Sequence, residues 1–137
     1  MRAKLFFFLP ALAYTLLVLY LSLINLADTP IKDLGVSDKV MHCGAYFGLG
    51  LLWSFFAIFN YKNDRFFAKI LVVCFASIAF GIFIEVLQKA LTSYRQLDLF
   101  DVVANTIGVV LAALLVWSLK DFLIRLKGKI NLFFMKK

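Results

Sequence analysis

Charged residues are scarce in this 137-residue sequence: they make up 17% of it, whereas hydrophobic residues make up 64%. A domain of this size cannot bury so much apolar surface in one core, because a large share of its residues must face the surroundings. The composition therefore excludes an ordinary soluble domain. The same hydrophobic content excludes a disordered chain.

Histidine and cysteine are scarcer still, with one histidine and two cysteines. The sequence has no Cys-x-x-Cys pair, no paired histidines at helical spacing, no glycine-rich phosphate loop and no nucleophilic serine motif. Zinc sites usually combine several His and Cys ligands, so one histidine among carboxylates is a weak signal for a metal. The sequence therefore predicts no metal and no cofactor.

Four apolar runs approach the roughly 20 residues that a helix needs to cross about 30 Å of hydrocarbon. They cover residues 5–24, 40–59, 70–91 and 102–119. Backbone amides in lipid must be satisfied within their own segment, and long uninterrupted runs achieve this as helices. The predicted fold is all-α, a polytopic four-transmembrane-helix bundle that forms one membrane domain over residues 1–137. A basic amphipathic segment, residues 120–137, is expected to lie along the membrane interface.

Positive charge is unevenly divided between the two ends of these spans. Eleven of the 15 Lys and Arg residues fall on the side that holds both termini and the 61–69 loop. The other side carries the remaining four, together with six of the eight acidic residues. Because positively charged loops stay in the cytoplasm, both termini are predicted to be cytoplasmic. Topology thus explains the net charge of +7, and nucleic-acid binding is not expected.

Ionisable side chains cost about 2.5 to 3.5 kcal/mol each in the middle of a membrane span, so those that occur there need an explanation. In this sequence they concentrate at the predicted outer ends of three spans. In the second span Asp38, His42 and Tyr46 follow at intervals of four, which places them on one helical face. Lys39 lies beside them, and Asp38 suits an N-cap.

The third span ends with Glu85 and Gln88, which are three positions apart on one helical face. Glu85 lies about six residues, or roughly 9 Å, inside its predicted helix, too deep for a solvated carboxylate. The next loop and the start of the fourth span contribute four further polar residues: Arg95, Asp98, Asp101 and Asn105. Polar groups from three spans are therefore expected to meet at the outer surface.

Small residues also recur at helical spacing on the second and fourth spans. Ala104, Gly108 and Ala112 form a stripe on the fourth span, and Gly44 and Gly48 lie on the second. Small side chains at such spacings let two helix backbones approach closely. We therefore expect the small stripes to hold the polar faces against one another.

In order and spacing, residues 38–108 resemble the VanZ-like family of small integral membrane proteins. The resemblance rests on three motifs, Asp38-Lys39-x-x-His42-x-x-x-Tyr46, Gly81-x-x-x-Glu85-x-x-Gln88 and Arg95-x-x-Asp98-x-x-Asp101-x-x-x-Asn105-x-x-Gly108. It implies a multi-pass protein of the bacterial cytoplasmic membrane with a polar motif at its outer face. The founding member is associated with resistance to the glycopeptide teicoplanin, a phenotype that other members need not share.

The preferred interpretation is a polar pocket that binds or processes an anionic lipid headgroup or a lipid-linked envelope intermediate. Arg95 would bind phosphate or carboxylate in a bidentate manner, and Lys39 would add a second positive charge. His42 and Glu85 would form a proton-transfer pair. The other residues assigned to ligand binding are Asp38, Tyr46, Gln88, Asp98, Asp101 and Asn105.

Two alternatives stay open at this point. The charged residues would pair with one another in a purely structural cluster that fixes helix packing. Alternatively, the His42 and Glu85 pair would serve a small proton-linked transporter. The sequence does not decide between these functions, and it sets no oligomeric state.

Overall fold

The computed structural model describes residues 2–24, 37–61, 65–91 and 98–135. Within these ranges there are helices and no strands. Five helices follow in order, α1 (Arg2–Leu23), α2 (Asp38–Asn60), α3 (Phe66–Leu91), α4 (Leu99–Ser118) and α5 (Lys120–Met135). The all-α prediction is confirmed. The four long helices begin two to four residues before the predicted apolar runs, because each helix includes at least one charged residue that precedes its run.

Helices α1 to α4 are long and apolar enough to cross a membrane. Many of their large apolar side chains lie on the outside of the bundle, where Phe75 is 72% exposed, Val72 67% and Phe83 56%. A helix that is apolar on every side needs apolar surroundings on every side. These outer surfaces are therefore suited to contact lipid tails.

Acidic side chains lie at the starts of α2 and α4. Asp98 is the N-cap of α4, and its side chain accepts a hydrogen bond from the backbone N–H of Phe100 at 2.8 Å. The N-cap of α2 is Ser37, so the N-cap prediction for Asp38 is wrong by one residue. Asp38 is the first helical residue instead, where its negative charge still interacts favourably with the helix dipole.

The four long helices alternate in direction. Gln88, near the end of α3, donates a hydrogen bond from Nε2 to the carbonyl oxygen of Ser22, near the end of α1, at 2.7 Å. Lys39, at the start of α2, forms an ion pair with Asp98, which precedes α4. The end of the bundle that contains these contacts is called the polar end below, and the opposite end, where α5 packs, the basic end. Helices α2 and α4 consequently run parallel to each other.

Helices α2 and α4 share the most extensive contact in the bundle. A Cβ atom on Gly108 would overlap the carbonyl oxygen of Cys43 and lie 2.9 Å from the backbone nitrogen of Phe47. Further along, a Cβ atom on Gly50 would lie 3.0 Å from the Cβ atom of Ala112. The small stripe predicted on α4 therefore packs directly against the backbone of α2.

The matching stripe predicted on α2 is wrong. A Cβ atom on Gly44 would meet nothing within 4 Å, and one on Gly48 would lie 2.6 Å from the hydroxyl oxygen of Tyr14. That hydroxyl donates a hydrogen bond to the carbonyl oxygen of Ala45 at 3.2 Å. Gly48 therefore makes room for a side chain of α1, whereas Gly50 is the α2 glycine that faces α4.

Helix α5 packs against the basic end. Leu123 is 4% exposed and belongs to an apolar cluster with Ile58 of α2. Lys127 donates hydrogen bonds from Nζ to the carbonyl oxygens of Ile58, at 2.7 Å, and Tyr61. These bonds satisfy carbonyl groups at the end of α2 that have no partner within their own helix. Burial, together with the nearby Lys69 ammonium, lowers the pKa of Lys127 from its ordinary value.

Candidate functional site

The polar end brings together side chains that three helices contribute. The predicted site residues found there are Asp38, Lys39, His42, Tyr46, Glu85, Gln88, Asp98, Asp101 and Asn105. Those at most 6% exposed are Tyr46, Glu85, Gln88, Asp101 and Asn105. The remaining predicted residue, Arg95, lies outside the described residues.

Lys39 joins the start of α2 to the start of α4 through ion pairs with Asp98 and Asp101. The side chains of Lys39 and Asp98 are 39% and 40% exposed, whereas that of Asp101 is 9% exposed. The hydrogen bond from Lys39, assisted by the backbone N–H of Phe100, holds the pKa of the Asp98 carboxyl below its ordinary value. Lys39 was expected to attract an anionic ligand, but two carboxylates already engage it, so such a ligand must compete with them.

His42 faces α4 with both of its ring nitrogens. Its Nδ1 atom lies 3.1 Å from the carboxamide oxygen of Asn105. Its Nε2 atom lies 3.9 Å from a carboxylate oxygen of Asp38 and 3.8 Å from one of Asp101. The pairing of His42 with Glu85 stays a prediction, since the contacts that the structure describes for His42 are with these three residues.

Tyr46 and Asn105 meet over Gly81 of α3. A Cβ atom on Gly81 would lie 3.1 Å from the Tyr46 ring and 3.3 Å from the Asn105 amide nitrogen. Tyr46 is 2% exposed, and its hydroxyl has no hydrogen-bond partner among the described residues. Glu85, also 2% exposed, lies close enough to Tyr46 to interact with it electrostatically. Gly81 thus allows two buried polar side chains to fit between α2, α3 and α4.

Gln88 has a structural contact that the sequence did not indicate. It is 2% exposed and its amide binds the backbone of Ser22 in α1. This bond ties the ends of α1 and α3 together at the polar end. Its assignment to ligand binding stays a prediction beside this packing role.

A cavity of about 190 Å³ opens between α1 and α2 at the polar end. Its polar lining residues are Tyr14, Ser22, Asp38, His42 and Tyr46. Its apolar lining residues are Leu17, Val18, Leu21, Met41 and Ala45. The cavity therefore combines a titratable group, His42, with an apolar wall, which is the combination that an amphiphilic ligand requires.

Asp38, His42 and Asp101 form the one group of possible metal ligands found among the described residues, with their ligand atoms all within 4.8 Å of one another. The sequence showed the spacing of four between Asp38 and His42, but Asp101 joins them only through the packing of α4 on α2. These three residues are thus the ones that could hold a cation, although the sequence predicted no metal.

A second and larger cavity, of about 830 Å³, lies toward the basic end. Trp53, Phe56 and Val72 are among its apolar lining residues, and Arg65 and Lys69 contribute the positive charge. The sequence predicted no role for Lys69 beyond the positive charge of the 61–69 loop. Its position in the first turn of a long, mostly apolar helix was the signal that was available for this site.

Comparison with known proteins identifies a relative whose function is not established. The chain is 37% identical, over 90 residues, to an uncharacterized protein of the fission yeast Schizosaccharomyces pombe. The match covers 66% of this chain and 52% of the yeast protein, so the chain spans about half the length of that relative. No family model matches the chain. No solved structure matches it either. The resemblance to the VanZ-like family therefore stays a prediction.

Proposed function

We propose that this chain is a VanZ-like multi-pass protein of a bacterial cytoplasmic membrane that binds a lipid headgroup, or a lipid-linked envelope intermediate, at its polar end. In this proposal both termini are cytoplasmic and the polar end faces outward. Four long apolar helices and the strong sorting of positive charge support the membrane location.

The cavity between α1 and α2 is the observation that carries the proposal. Asp38 and His42 belong to its polar part, and Leu17, Val18 and Leu21 extend an apolar wall along α1. A headgroup placed beside His42 would leave its acyl chain along this wall. Membrane bundles normally pack through small and apolar side chains, so costly buried polar groups beside a cavity favour a binding role.

Phosphate is the ligand chemistry that the proposal assigns to this site. Arg95 would bind a phosphate oxygen pair, and an approaching phosphate would compete with Asp98 and Asp101 for Lys39. Phosphate-bearing lipid headgroups are common to many organisms, which accommodates a relative in a fission yeast. His42, with Glu85 nearby in the bundle, would move a proton if the bound headgroup is processed.

A purely structural cluster is the second candidate function, because three described contacts favour it. The Lys39 ion pairs join α2 to α4, and the Gln88 hydrogen bond joins α3 to α1. In that case each polar residue would contribute to stability, and none would contribute to ligand retention.

Native mass spectrometry of the purified protein tests the proposal by counting the lipids that each chain retains. We expect Arg95→Ala to retain one lipid fewer than wild type, with a change in the headgroup class that remains. Arg125→Ala is the matched control, because Arg125 is exposed on α5 at the opposite end. Identical lipid counts and headgroups in wild type and Arg95→Ala would contradict the proposal.

A further inference from the structure

The spacing around His42 is suited to a cation. The Nε2 atom lies 3.9 Å from Asp38 Oδ1 and 3.8 Å from Asp101 Oδ2, which is too long for hydrogen bonds. Two atoms bound tetrahedrally to the same zinc ion, each at about 2.0 to 2.2 Å, are about 3.3 to 3.6 Å apart. Both separations exceed that range by only a few tenths of an ångström, which a small side-chain rotation would close. The Asp38 side chain is 49% exposed, so it is free to turn toward a shared ion.

The hydrogen bond to Asn105 determines which nitrogen of His42 is available. In this orientation of the Asn105 amide, Nδ1 of His42 is the nitrogen that carries the hydrogen, because a carboxamide oxygen only accepts hydrogen bonds. In the neutral imidazole, Nε2 then has a lone pair, which faces two carboxylates. Either a proton on Nε2 or a cation bound between these groups removes the repulsion between this lone pair and the carboxylates. Metal-bound histidines are held in the same way, by a hydrogen bond from the nitrogen that does not bind the metal.

The local charge, and the carboxylate oxygen that Lys39 leaves available, both agree with a bound cation. Among the described residues around His42, Asp38, Asp98 and Asp101 carry three negative charges against the one positive charge of Lys39, a difference that a divalent cation would neutralise. Lys39 binds Oδ1 of Asp101, whereas Oδ2 of the same carboxylate faces His42. The ammonium group and an ion would therefore use different oxygens of Asp101.

Tyr46 provides an independent indication of a ligand. It is 2% exposed, its hydroxyl has no hydrogen-bond partner among the described residues, and it lines the same cavity as Asp38 and His42. A buried hydroxyl without a partner is costly, and a polar group in the cavity within its reach would remove that cost. A water molecule or a headgroup oxygen bound to an ion would be such a group.

We propose that Asp38, His42 and Asp101 bind one divalent transition-metal cation, zinc or manganese, at the polar end. An imidazole ligand favours these ions over magnesium and calcium, which prefer oxygen ligands alone. Three protein ligands leave a coordination position open toward the cavity. The attraction of a headgroup phosphate to that open position rests on the proposed function. The ion site itself does not rest on it.

Metal binding is measured on protein purified with a tag that contains no histidine, stripped with EDTA and dialysed against Zn²⁺ or Mn²⁺. Elemental analysis should find about one ion per chain in wild type, and His42→Ala and Asp101→Asn should bind at least tenfold more weakly. Asp121→Asn is the matched control, because Asp121 is an exposed carboxylate on α5 at the basic end. Absence of binding by wild type, or an equal loss in Asp121→Asn, would overturn the proposal.

A second measurement needs no variant, because the chain has a single histidine. In ¹⁵N spectra of wild type, Zn²⁺ should shift the Nε2 resonance of His42 while Nδ1 keeps its proton. An unchanged Nε2 resonance at saturating Zn²⁺ would overturn the ion site.

Lipid counts after EDTA treatment distinguish a failure of the ion site from a failure of the proposed function. Lipid retention without metal binding contradicts the ion site alone, and metal binding without lipid retention contradicts the headgroup site alone.

The larger cavity, at the basic end, supports a second and independent inference. The Lys69 ammonium is buried and has no hydrogen-bond partner among the described residues. It lines a cavity of about 830 Å³ together with Arg65 and apolar side chains that include Trp53, Val72 and Phe80. A buried ammonium without a partner is costly, and a neighbouring anion removes that cost.

We infer that this cavity binds an anionic phospholipid, with its phosphate between Lys69 and Arg65 and an acyl chain against Trp53 and Val72. The charge of the two basic side chains and the apolar walls together match the two parts of such a lipid. The site uses residues and a cavity distinct from those at the polar end, so the two sites are tested independently.

Vesicles or nanodiscs of phosphatidylglycerol mixed with phosphatidylcholine supply the probe for this second site. Native mass spectrometry should show retained phosphatidylglycerol in wild type and at least a fivefold loss in Lys69→Gln. Lys129→Gln is the control, because Lys129 is exposed on α5. Equal retention in wild type and Lys69→Gln, or retained phosphatidylcholine in place of phosphatidylglycerol, would contradict this inference.

Discussion

The backbone of Cys43 occupies the space where a side chain of residue 108 would otherwise lie, so Gly108 fixes the distance between the parallel helices α2 and α4. The contact also sets the register of the two helices. Asp101 and Asn105 precede Gly108 on α4, and Asp38 and His42 precede Cys43 on α2. The polar residues of the two helices therefore face each other at the polar end.

Gly108→Ala should destabilise the protein, because its Cβ atom would overlap the Cys43 carbonyl oxygen and force the helices apart. We expect a loss of about 1 to 3 kcal/mol in the free energy of unfolding, as for other overpacked interfaces. Gly44→Ala is the control, because no atom lies within 4 Å of its Cβ position. Titration with a denaturing detergent, followed by circular dichroism, measures both variants. Equal stability of Gly108→Ala and wild type would contradict the close contact.

Asn105→Leu should leave the His42 Nδ1 hydrogen without its acceptor. The expected cost is about 1 to 3 kcal/mol of unfolding free energy, and the His42 imidazole should become a mixture of tautomers in ¹⁵N spectra. Thr106→Val serves as the control, since the Thr106 hydroxyl bonds only to the Val102 carbonyl of its own helix among the contacts described. A single unchanged tautomer in Asn105→Leu would show that Asn105 does not orient His42.

Lys39→Gln should alter the dependence of stability on pH. In wild type the pKa of Asp98 is held below its ordinary value of 3.8, chiefly by the hydrogen bond from Lys39. A carboxyl with a lowered pKa in the folded state stabilises the fold above its unfolded pKa, and that contribution is lost as the pH falls through the folded pKa. Wild-type stability should therefore fall below about pH 4, and Lys39→Gln should flatten this part of the curve.

Thermal unfolding between about pH 3 and pH 7 measures the effect, with Lys129→Gln as the control. Lys129 is exposed on α5, so its replacement should leave the shape of the curve unchanged. Curves of the same shape for Lys39→Gln and wild type would argue against a stabilising ion pair between Lys39 and Asp98.

Tyr46→Phe distinguishes a binding site from a purely structural cluster. The Tyr46 hydroxyl has no hydrogen-bond partner among the described residues, so its removal should change the unfolding free energy by less than about 1 kcal/mol. If the hydroxyl contacts a ligand, lipid retention at the polar end should nevertheless fall. A strongly destabilised variant would indicate a structural partner, and unchanged lipid retention would argue against a ligand contact.

Much of the fold could be predicted from the sequence. The length of the apolar runs gave the four long helices, because only helices satisfy their own backbone amides in lipid. The concentration of acids and of His42 near the predicted ends of those helices indicated which end carries the polar residues. The small stripe around Gly108 was also visible, since its spacing of four is a property of one helix alone.

The glycine contacts and the grouping of the site residues depend on how two helices pack, which no single segment reveals. Gly44, Gly48 and Gly50 all lie in α2, and spacing alone does not show that Gly50 faces α4 while Gly48 faces Tyr14. The group formed by Asp38, His42 and Asp101 likewise requires the register that the contact at Gly108 sets. The sequence indicated that Lys39 is a nearby cation, but it did not indicate that Lys39 forms ion pairs with two carboxylates.

Site-specific photocrosslinking in the membrane tests most directly whether the polar end holds a selected lipid. A photoreactive residue at position 41 would replace Met41, which lines the cavity beside His42, and one at position 40 would replace Val40, which is 60% exposed on the outside of α2. We expect adducts at position 41 to be enriched in one phosphate-bearing headgroup class, and adducts at position 40 to follow the composition of the bulk membrane. The same lipid composition at both positions would contradict a headgroup site at the polar end.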